Sequence, residues 1–597
     1  MSDNGLRLTD EEQAMLAGER GAAAQMAMRI LTTMAGVYGA TRLLAIESAH
    51  IDGCLYHGYS GLEFAERLVA GGARVAVPTT LNVGAVDLLH PDVFRGPAQV
   101  GQWATRLMRA YEAMGCRPTF TCAPYQALHR PARGTQIAWA ESNAIVFANS
   151  VLGARTNRYG DFIDICCAIT GRAPDVGLHR TENRRGQVLF RLRGLPQRLL
   201  AEDVRFPVLG YWLGARTGTK IPVIDGLLPA TSEDQLKALG AAAASSGGVA
   251  LFHAVGVTPE APTLDAAFQG RSPEAVVDVT LADLRGTLGV LSTAPDGPIQ
   301  AVALGSPHFS LDEFARLLPL VEAHPPRPEV EFIVCTHRLA QAALHQRGWL
   351  ERLRAAGVQV IVDTCVVVTP ILRARGGVLM TNSGKFAHYT PSNTPLQVIY
   401  GSLEECVRSA AAGAVWRDEG LWREETPVGG RRTTDDRPRP EPPLAMVDAV
   451  EAPPVLSSGR LSVVRRPSSA LVPGAAQGPA VVLDAPLSLW GGLEPTTGAI
   501  IDPRHPQCGA NVSGRVLVMP VGKGSSSASS ILLEAARLGT APAAIVLAEP
   551  DGILALGAAV AREMYGVVLP VVVAGEYGRI RDGDPVTVTE SGVELDQ

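Results

Sequence analysis

The chain has 597 residues, more than one hydrophobic core serves, so two or more domains are expected. Apolar residues make up 46% of it and charged residues 19%, proportions that exclude a disordered chain. A net charge of −6 excludes a strongly basic surface, so neither nucleic acid nor an anionic membrane is expected as a partner.

The first residues, MSDNGLRLTDEEQ, are polar and acidic and lack the apolar core of a leader. No run of about 18 apolar residues occurs, so a soluble, cytoplasmic protein is expected. Nine cysteines in such a chain point to free thiols or metal ligands rather than disulfides. None of them form a CxxC pair, which sets aside a zinc ribbon or a thioredoxin-type motif.

In chain order, Thr9 and Glu12 form a capping box before a helix expected to run to about Gly36. From about 40 to 425, short β-branched runs alternate with amphipathic helical segments, the pattern of α/β architecture with largely parallel strands. Strands are expected at 42–46, 73–77, 119–122, 249–252, 300–304, 330–335 and 358–364. Composition changes at 426–478, which is rich in Pro, Gly, Ser and Arg and reads as a linker. A compact α/β pattern resumes over 479–597, with strands at 481–483, 515–519, 543–547 and 567–573 and helices at 526–538 and 553–565. The expected organisation is therefore a large domain over 1–425, a linker, and a small domain over 479–597.

Ligands of open α/β sheets gather beyond the carboxyl ends of the strands. The expected strands are followed there by Cys122, by His253, by Ser306 and His308, by Cys335 and His337, and by Cys365. Any one of these cysteines reads equally as a small buried hydrophobe. Their joint placement points to metal or cluster ligation by thiolates. The segment Pro520–Ser530 lies between a strand and a helix, where backbone amides and hydroxyls hold an anion or simply form a serine-rich turn. Gly522-Lys523 lacks the spacing of a Walker loop.

Several segments go further. Gly491-Gly-Leu-Glu-Pro-Thr-Thr-Gly498, Ile500-Ile-Asp-Pro-Arg-His505 and Gly524-Ser-Ser-Ser527 resemble the swivel domain of aconitases. Thr121-Cys122-Ala-Pro-Tyr125, Ala140-Glu141-Ser142-Asn143-Ala144, Asn149 to Arg158, Asp363-Thr-Cys365 and Thr381-Asn-Ser-Gly-Lys385 resemble the aconitase X family in particular. The resemblance implies a large, multi-subdomain α/β catalytic domain and a small α/β swivel domain on one chain, with no separate small subunit. It implies a hydro-lyase carrying an iron–sulfur cluster as Lewis acid. Lacking CxxC, the chain is expected to hold a smaller centre than four irons, of the two-iron two-sulfur kind or another reduced iron site.

The implied metal ligands are Cys122, Cys365 and Cys54, with Cys335 in reserve. Glu141 is a further ligand, a neighbour of the ligands, or an ordinary helix-start acid. Cys116, Cys166, Cys167, Cys406 and Cys508 are expected to be structural. Ser525 stands where aconitases carry their catalytic base, and Lys385 and His308 are expected to join it in catalysis. Ser526 and Ser527 are expected to bind substrate. Ser527 replaces an arginine that grips a substrate carboxylate, a role that passes to Lys385 or to Arg155 and Arg158, with Asn157 between them. The arginines alternatively form structural ion pairs. Ser306, His308 and His50 are expected to orient the hydroxyl.

The implied substrate is a hydroxylated imino acid, cis-3-hydroxy-L-proline, dehydrated to Δ1-pyrroline-2-carboxylate. Fusion of the two domains and Ser306, at a position where a cysteine is expected in the archaeal branch, favour this over mevalonate 5-phosphate. An iron-responsive RNA-binding protein is the alternative of another class, opposed by the acidic balance.

Overall fold

The computed structural model describes residues 5–126, 129–423, 469–575 and 577–595. Its N-terminal region is two helices where the sequence suggested one. Asp10–Ala17 starts on the expected box, with Glu12 N–H donating to Thr9 Oγ1 and Thr9 N–H to Glu12 Oε2. It stops at Gly18, whose φ of +90° suits glycine, and Ala22–Val37 begins anew.

Three parallel sheets follow. The first runs Thr79–Leu81, Ala49–Ile51, Ala138–Trp139 in spatial order. The second runs His253–Ala254, Pro222–Asp225, Val188–Arg191, Ala275–Asp278. The third has five strands, Val358–Ile361, Glu331–Cys335, Ala301–Leu304, Val378–Thr381 and Gln397–Tyr400. Its central strands are buried on both faces, which is why they read as unbroken apolar runs.

Three expected strands fall elsewhere. The run 73–77 is irregular, and the strand is Thr79–Leu81. The run 119–122 makes no ladder: Phe120 has φ +39°, and beside a single backbone bond from Thr121 N–H to Leu81 C=O (3.0 Å) the Thr119 hydroxyl bonds both Leu81 N–H (2.8 Å) and Leu81 C=O (2.9 Å). At 249–252 pairing begins only at His253.

The small domain is a seven-stranded mixed sheet in the order Ser469–Val472, Val571–Val573, Ala544–Leu547, Val516–Met519, Ala476–Val482, Pro585–Thr589, Gly592–Leu595. Its first two strands already occupy residues assigned to the linker by composition, while 424–468 lies outside the described residues. Helices Ala528–Leu538 and Gly552–Tyr565 pack on Tyr59–Ala70 and Ala22–Val37 of the large domain, joining both domains in one apolar core. Polar contacts flank this seam: Ser60 N–H donates to Glu534 Oε2 (2.8 Å), and Tyr565 Oη–H donates to Glu63 Oε2 (2.7 Å). Among the described residues no helix is long and apolar enough to cross a membrane.

Candidate active site

The carboxyl ends of the first and third sheets face a common cleft with about 480 Å³ of empty space. Asp52 follows Ile51 directly and Asn82 follows Leu81, while Glu141 lies two residues beyond Trp139. From the third sheet come Ser306, Cys365 and Lys385, each within four residues of a strand end. Cys122, Ser142 and Tyr389 also line the cleft from the large domain, with Leu55, Val83, Val367 and Val368 as its apolar part, and Trp490, Ser525, Ser526 and Ser527 close it from the small domain.

Two of the quoted segments pack together to hold Cys122. Asn143 Nδ2 donates to the Cys122 carbonyl (2.9 Å) and to the Tyr125 hydroxyl (2.9 Å), and Tyr125 stacks on Phe147. The His308 amide donates to Cys122 Sγ (3.3 Å), and the amides of Val367 and Val368 face the Cys365 sulfur. Burial pushes the Cys122 thiol up to about 12, with Glu141 acting in the same direction and Lys385 and the His308 amide opposing. Burial likewise raises Cys365, against Lys385 and the two amides.

Glu141 is 3% exposed, caps helix Ser142–Phe147 through Ala144 N–H (2.7 Å), and pairs with Lys385 Nζ. Burial opposes the charge on Lys385, but Glu141, Cys122 and Tyr389 outweigh it and hold the ammonium above its ordinary value. Burial pushes Glu141 up, and Lys385 and the Ala144 amide resist. The buried charges neutralise each other, as buried ion pairs must.

The serine side is built differently. Ser526 Oγ–H donates to Asp52 Oδ2 (2.6 Å), and Ser527 Oγ–H reaches the same oxygen at 3.4 Å. Asn82 Nδ2 donates to Asp52 Oδ1. Ser525 Oγ accepts the Ser527 amide (3.2 Å) at the amino end of helix Ala528–Leu538, where backbone N–H groups favour a negative oxygen. Gly524 makes the turn possible: its φ is +80°, and a Cβ there would sit 2.7 Å from Ser488 Oγ. Arg158 donates to the Gly524 carbonyl. Beneath the turn, Ser530 Oγ–H donates to Asp161 Oδ2 (2.5 Å), and Asp164 Oδ2 accepts the amides of Asp52 (2.7 Å) and Gly53 (3.3 Å).

Of the residues named from sequence, the cleft brings together Cys122, Cys365, Glu141, Lys385, Ser306, Ser525, Ser526 and Ser527. Others stand apart. The Cys54 thiol points at the carbonyls of Asn82 (3.2 Å) and Ile51 (3.6 Å) in the core, away from the other two sulfurs. Cys335 lies beside Cys365 with the Val366 amide facing its sulfur, behind the lining.

The histidines also correct the expectation. His308 spends both ring nitrogens on Thr121 Oγ1 (2.9 Å) and the Thr364 carbonyl (3.2 Å), and burial holds it neutral at about 3. Its contribution to the site is its backbone amide. His50 bonds Thr80 Oγ1 (2.8 Å) beside Trp139, outside the cleft.

Neither Arg155 nor Asn157 reaches the cleft: Arg155 donates to the His179 carbonyl (3.2 Å), and Asn157 bonds Val176 C=O (3.0 Å) and Leu178 N–H (2.7 Å). Arg158 positions the serine turn instead of a ligand. The whole segment is a brace, closed by reciprocal Asn149–Thr156 bonds of 2.9 and 3.1 Å. Asp52, Asn82, Tyr389 and Trp490 were not singled out from sequence. Asp52 was within reach, since it lies between His50 and Cys54, both named from sequence.

The donor set bears on a metal centre. Two thiols share one cleft, with one amide directed at Cys122 and two at Cys365; such donors suit sulfur ligands to iron, while burial keeps the unligated thiols protonated. Among the described residues, however, no group of three or more His, Cys, Asp or Glu side chains is placed to hold a metal ion. The fit is to a centre anchored on two cysteines of this chain.

Family models of aconitase X match the chain in sequence: the first domain over residues 5–182, the second over 186–289, the third over 299–412 and the swivel domain over 466–595. The chain belongs to the aconitase X family. A cis-3-hydroxy-L-proline dehydratase of Pseudomonas aeruginosa is 46% identical over 415 residues, 69% of this chain and 71% of that protein. A phosphomevalonate dehydratase large subunit of Methanothermobacter thermautotrophicus is 37% identical over 66% of this chain and 97% of its own length. The crystal structure of Thermococcus kodakaraensis aconitase X in its holo-form superposes with a TM-score of 0.59 at 32% identity, covering 68% of this chain and all of that one. These relatives are named as dehydratases or as aconitase X, and the family's swivel-domain model coincides with the small domain.

Proposed function

We propose that the protein is a cytoplasmic hydro-lyase that dehydrates cis-3-hydroxy-L-proline to Δ1-pyrroline-2-carboxylate. The observation that carries this reading is the charge balance of the cleft. Lys385, the one cation lining it among the described residues, is already paired with Glu141. A phosphate dianion would find no basic cradle, whereas the Asp52 carboxylate, held by neutral donors only, suits a ligand bearing an ammonium. The similarity to the Pseudomonas aeruginosa dehydratase supports the same choice.

Cys122 and Cys365 would hold an iron–sulfur centre of the two-iron two-sulfur kind. When bound, that centre would supply Lewis acidity to the oxygen functions of the substrate. Ser525, acting as an alkoxide stabilised by the helix amino end and the Ser527 amide, is the group that takes the C2 proton and becomes the hydroxyl. Lys385, fixed by Glu141, faces the charge that develops on the substrate carboxylate as that proton leaves. The C3 hydroxyl departs as water with a proton drawn from the Lys385–Glu141 pair. The resulting enamine tautomerises to the imine. Asp52 fixes Ser526, and through it the turn carrying Ser525.

Anaerobically purified protein, with iron and sulfide counted per chain, is to be assayed on cis-3-hydroxy-L-proline and on mevalonate 5-phosphate. Turnover of the first alone, with about two irons per chain, is the expected result. Turnover of the phosphate ester, or full activity without iron, would overturn it.

A further inference from the structure

Trp490 is 8% exposed and belongs to the small domain, yet it lines the large-domain cleft. Its indole meets the Tyr389 ring edge-on, with centroids 4.4 Å apart and an interplanar angle of 72°. The His57 ring lies 6.2 Å from the indole at an interplanar angle of 76°. The Ser488 hydroxyl donates to the Trp490 carbonyl (2.9 Å), anchoring the backbone next to the serine turn. The same indole also lines a second groove, of about 900 Å³, bounded by His57, Thr369, Leu372 and Asn393. It is therefore a partition between the cleft and an outer groove.

The charges around this partition select what it can face. Glu141 and Lys385 cancel, Asp52 keeps only neutral donors, and burial holds His57 neutral at about 4 against the pull of Asp52. Two aromatic rings, beside a Lys385 already paired with Glu141 and an Arg158 turned to the Gly524 carbonyl, form a surface for an organic cation with apolar carbons, which describes a saturated ring carrying a secondary ammonium.

We infer that Trp490 is a specificity-determining residue whose indole face takes the pyrrolidinium ring of the imino acid. The inference rests on the substrate reading given above. It makes the small domain part of substrate selection as well as of proton transfer, so that the full recognition surface exists only when the two domains are docked.

The test compares two competitive inhibitors of hydroxyproline turnover by the holoenzyme: L-proline and (S)-tetrahydrofuran-2-carboxylate, which has the same shape without the ammonium. Wild type is expected to prefer L-proline. In Trp490→Ala the preference should shrink by about 3- to 30-fold, the range of a desolvated cation–π contact, while Trp490→Phe keeps most of it. A variant that merely loosens domain docking weakens both inhibitors alike and leaves the ratio unchanged. That outcome overturns the inference and assigns ammonium recognition to Asp52. Absence of hydroxyproline turnover in wild type would instead defeat the substrate reading itself, and the role of Trp490 with it.

Discussion

The two walls of the cleft are held by different physics. On the thiol wall, sulfurs and charges are fixed by one domain: backbone amides point at Cys122 and Cys365, and Lys385 and Glu141 neutralise each other. On the serine wall, contact between domains does the work. Small-domain hydroxyls donate to Asp52 and Asp161, and Arg158 holds the turn from outside. The first wall is preorganised whatever the small domain does, whereas the second forms only on docking. Under the proposed function, the difference predicts that metal retention and proton abstraction are separable.

The sharpest way to break that separation is at the thiol wall. Cys365→Ala is expected to abolish both visible absorption from the cluster and turnover, because one of the two anchoring sulfurs is gone. Absorption spectra and steady-state assays check it, and a fully active variant would remove the thiols from their assigned role. At the serine wall the effect should be smaller and of a different kind. Ser525→Ala is expected to fold and to bind iron normally while kcat drops by about 100- to 10,000-fold, the usual contribution of a positioned base. Normal rates would strike Ser525 from that role, and lost iron would show that the two walls are coupled after all.

Much of this was legible in the residues, and the misses have physical causes. The third sheet was readable because Ala301–Leu304 and Glu331–Cys335 are buried on both faces and so show as apolar runs. Thr119–Cys122 looked the same and is not a strand, because the backbone turns at Phe120 (φ +39°) and the Thr119 hydroxyl satisfies the Leu81 amide. Strand-end placement found Cys122, Cys365 and Ser306, and the family resemblance added Glu141, Lys385 and the serines. His308, Arg155 and Asn157 were overvalued: their polar atoms are consumed by nearby Thr and backbone groups, which no spacing reveals. Asp52 was passed over in favour of its neighbour Cys54, although the cleft takes the carboxylate and leaves the sulfur in the core.

The acids under the serine turn refine the contrast through pH. Burial raises Asp164 from 3.8 to about 7 despite the amides it accepts, and burial raises Asp161 in the same sense. Between those two values folded Asp164 holds a proton that the unfolded chain has released. Its stabilising contribution is therefore complete below about pH 4 and is lost as pH rises through about 7. Each unit of such a shift is worth about 1.4 kcal/mol, so a decline of a few kcal/mol is expected over that range. Asp164→Asn, which cannot ionise, should flatten the fall of Tm between pH 5 and 8, with Asp161 maintaining a residual slope. Thermal melts of the two proteins across that range check it, and parallel curves would mean that Asp164 titrates no differently in the folded and unfolded chain. The thiol wall supplies the internal control: Lys385 is held above its ordinary value, so its charge does not change in this window, and cluster absorption should stay constant while Tm moves.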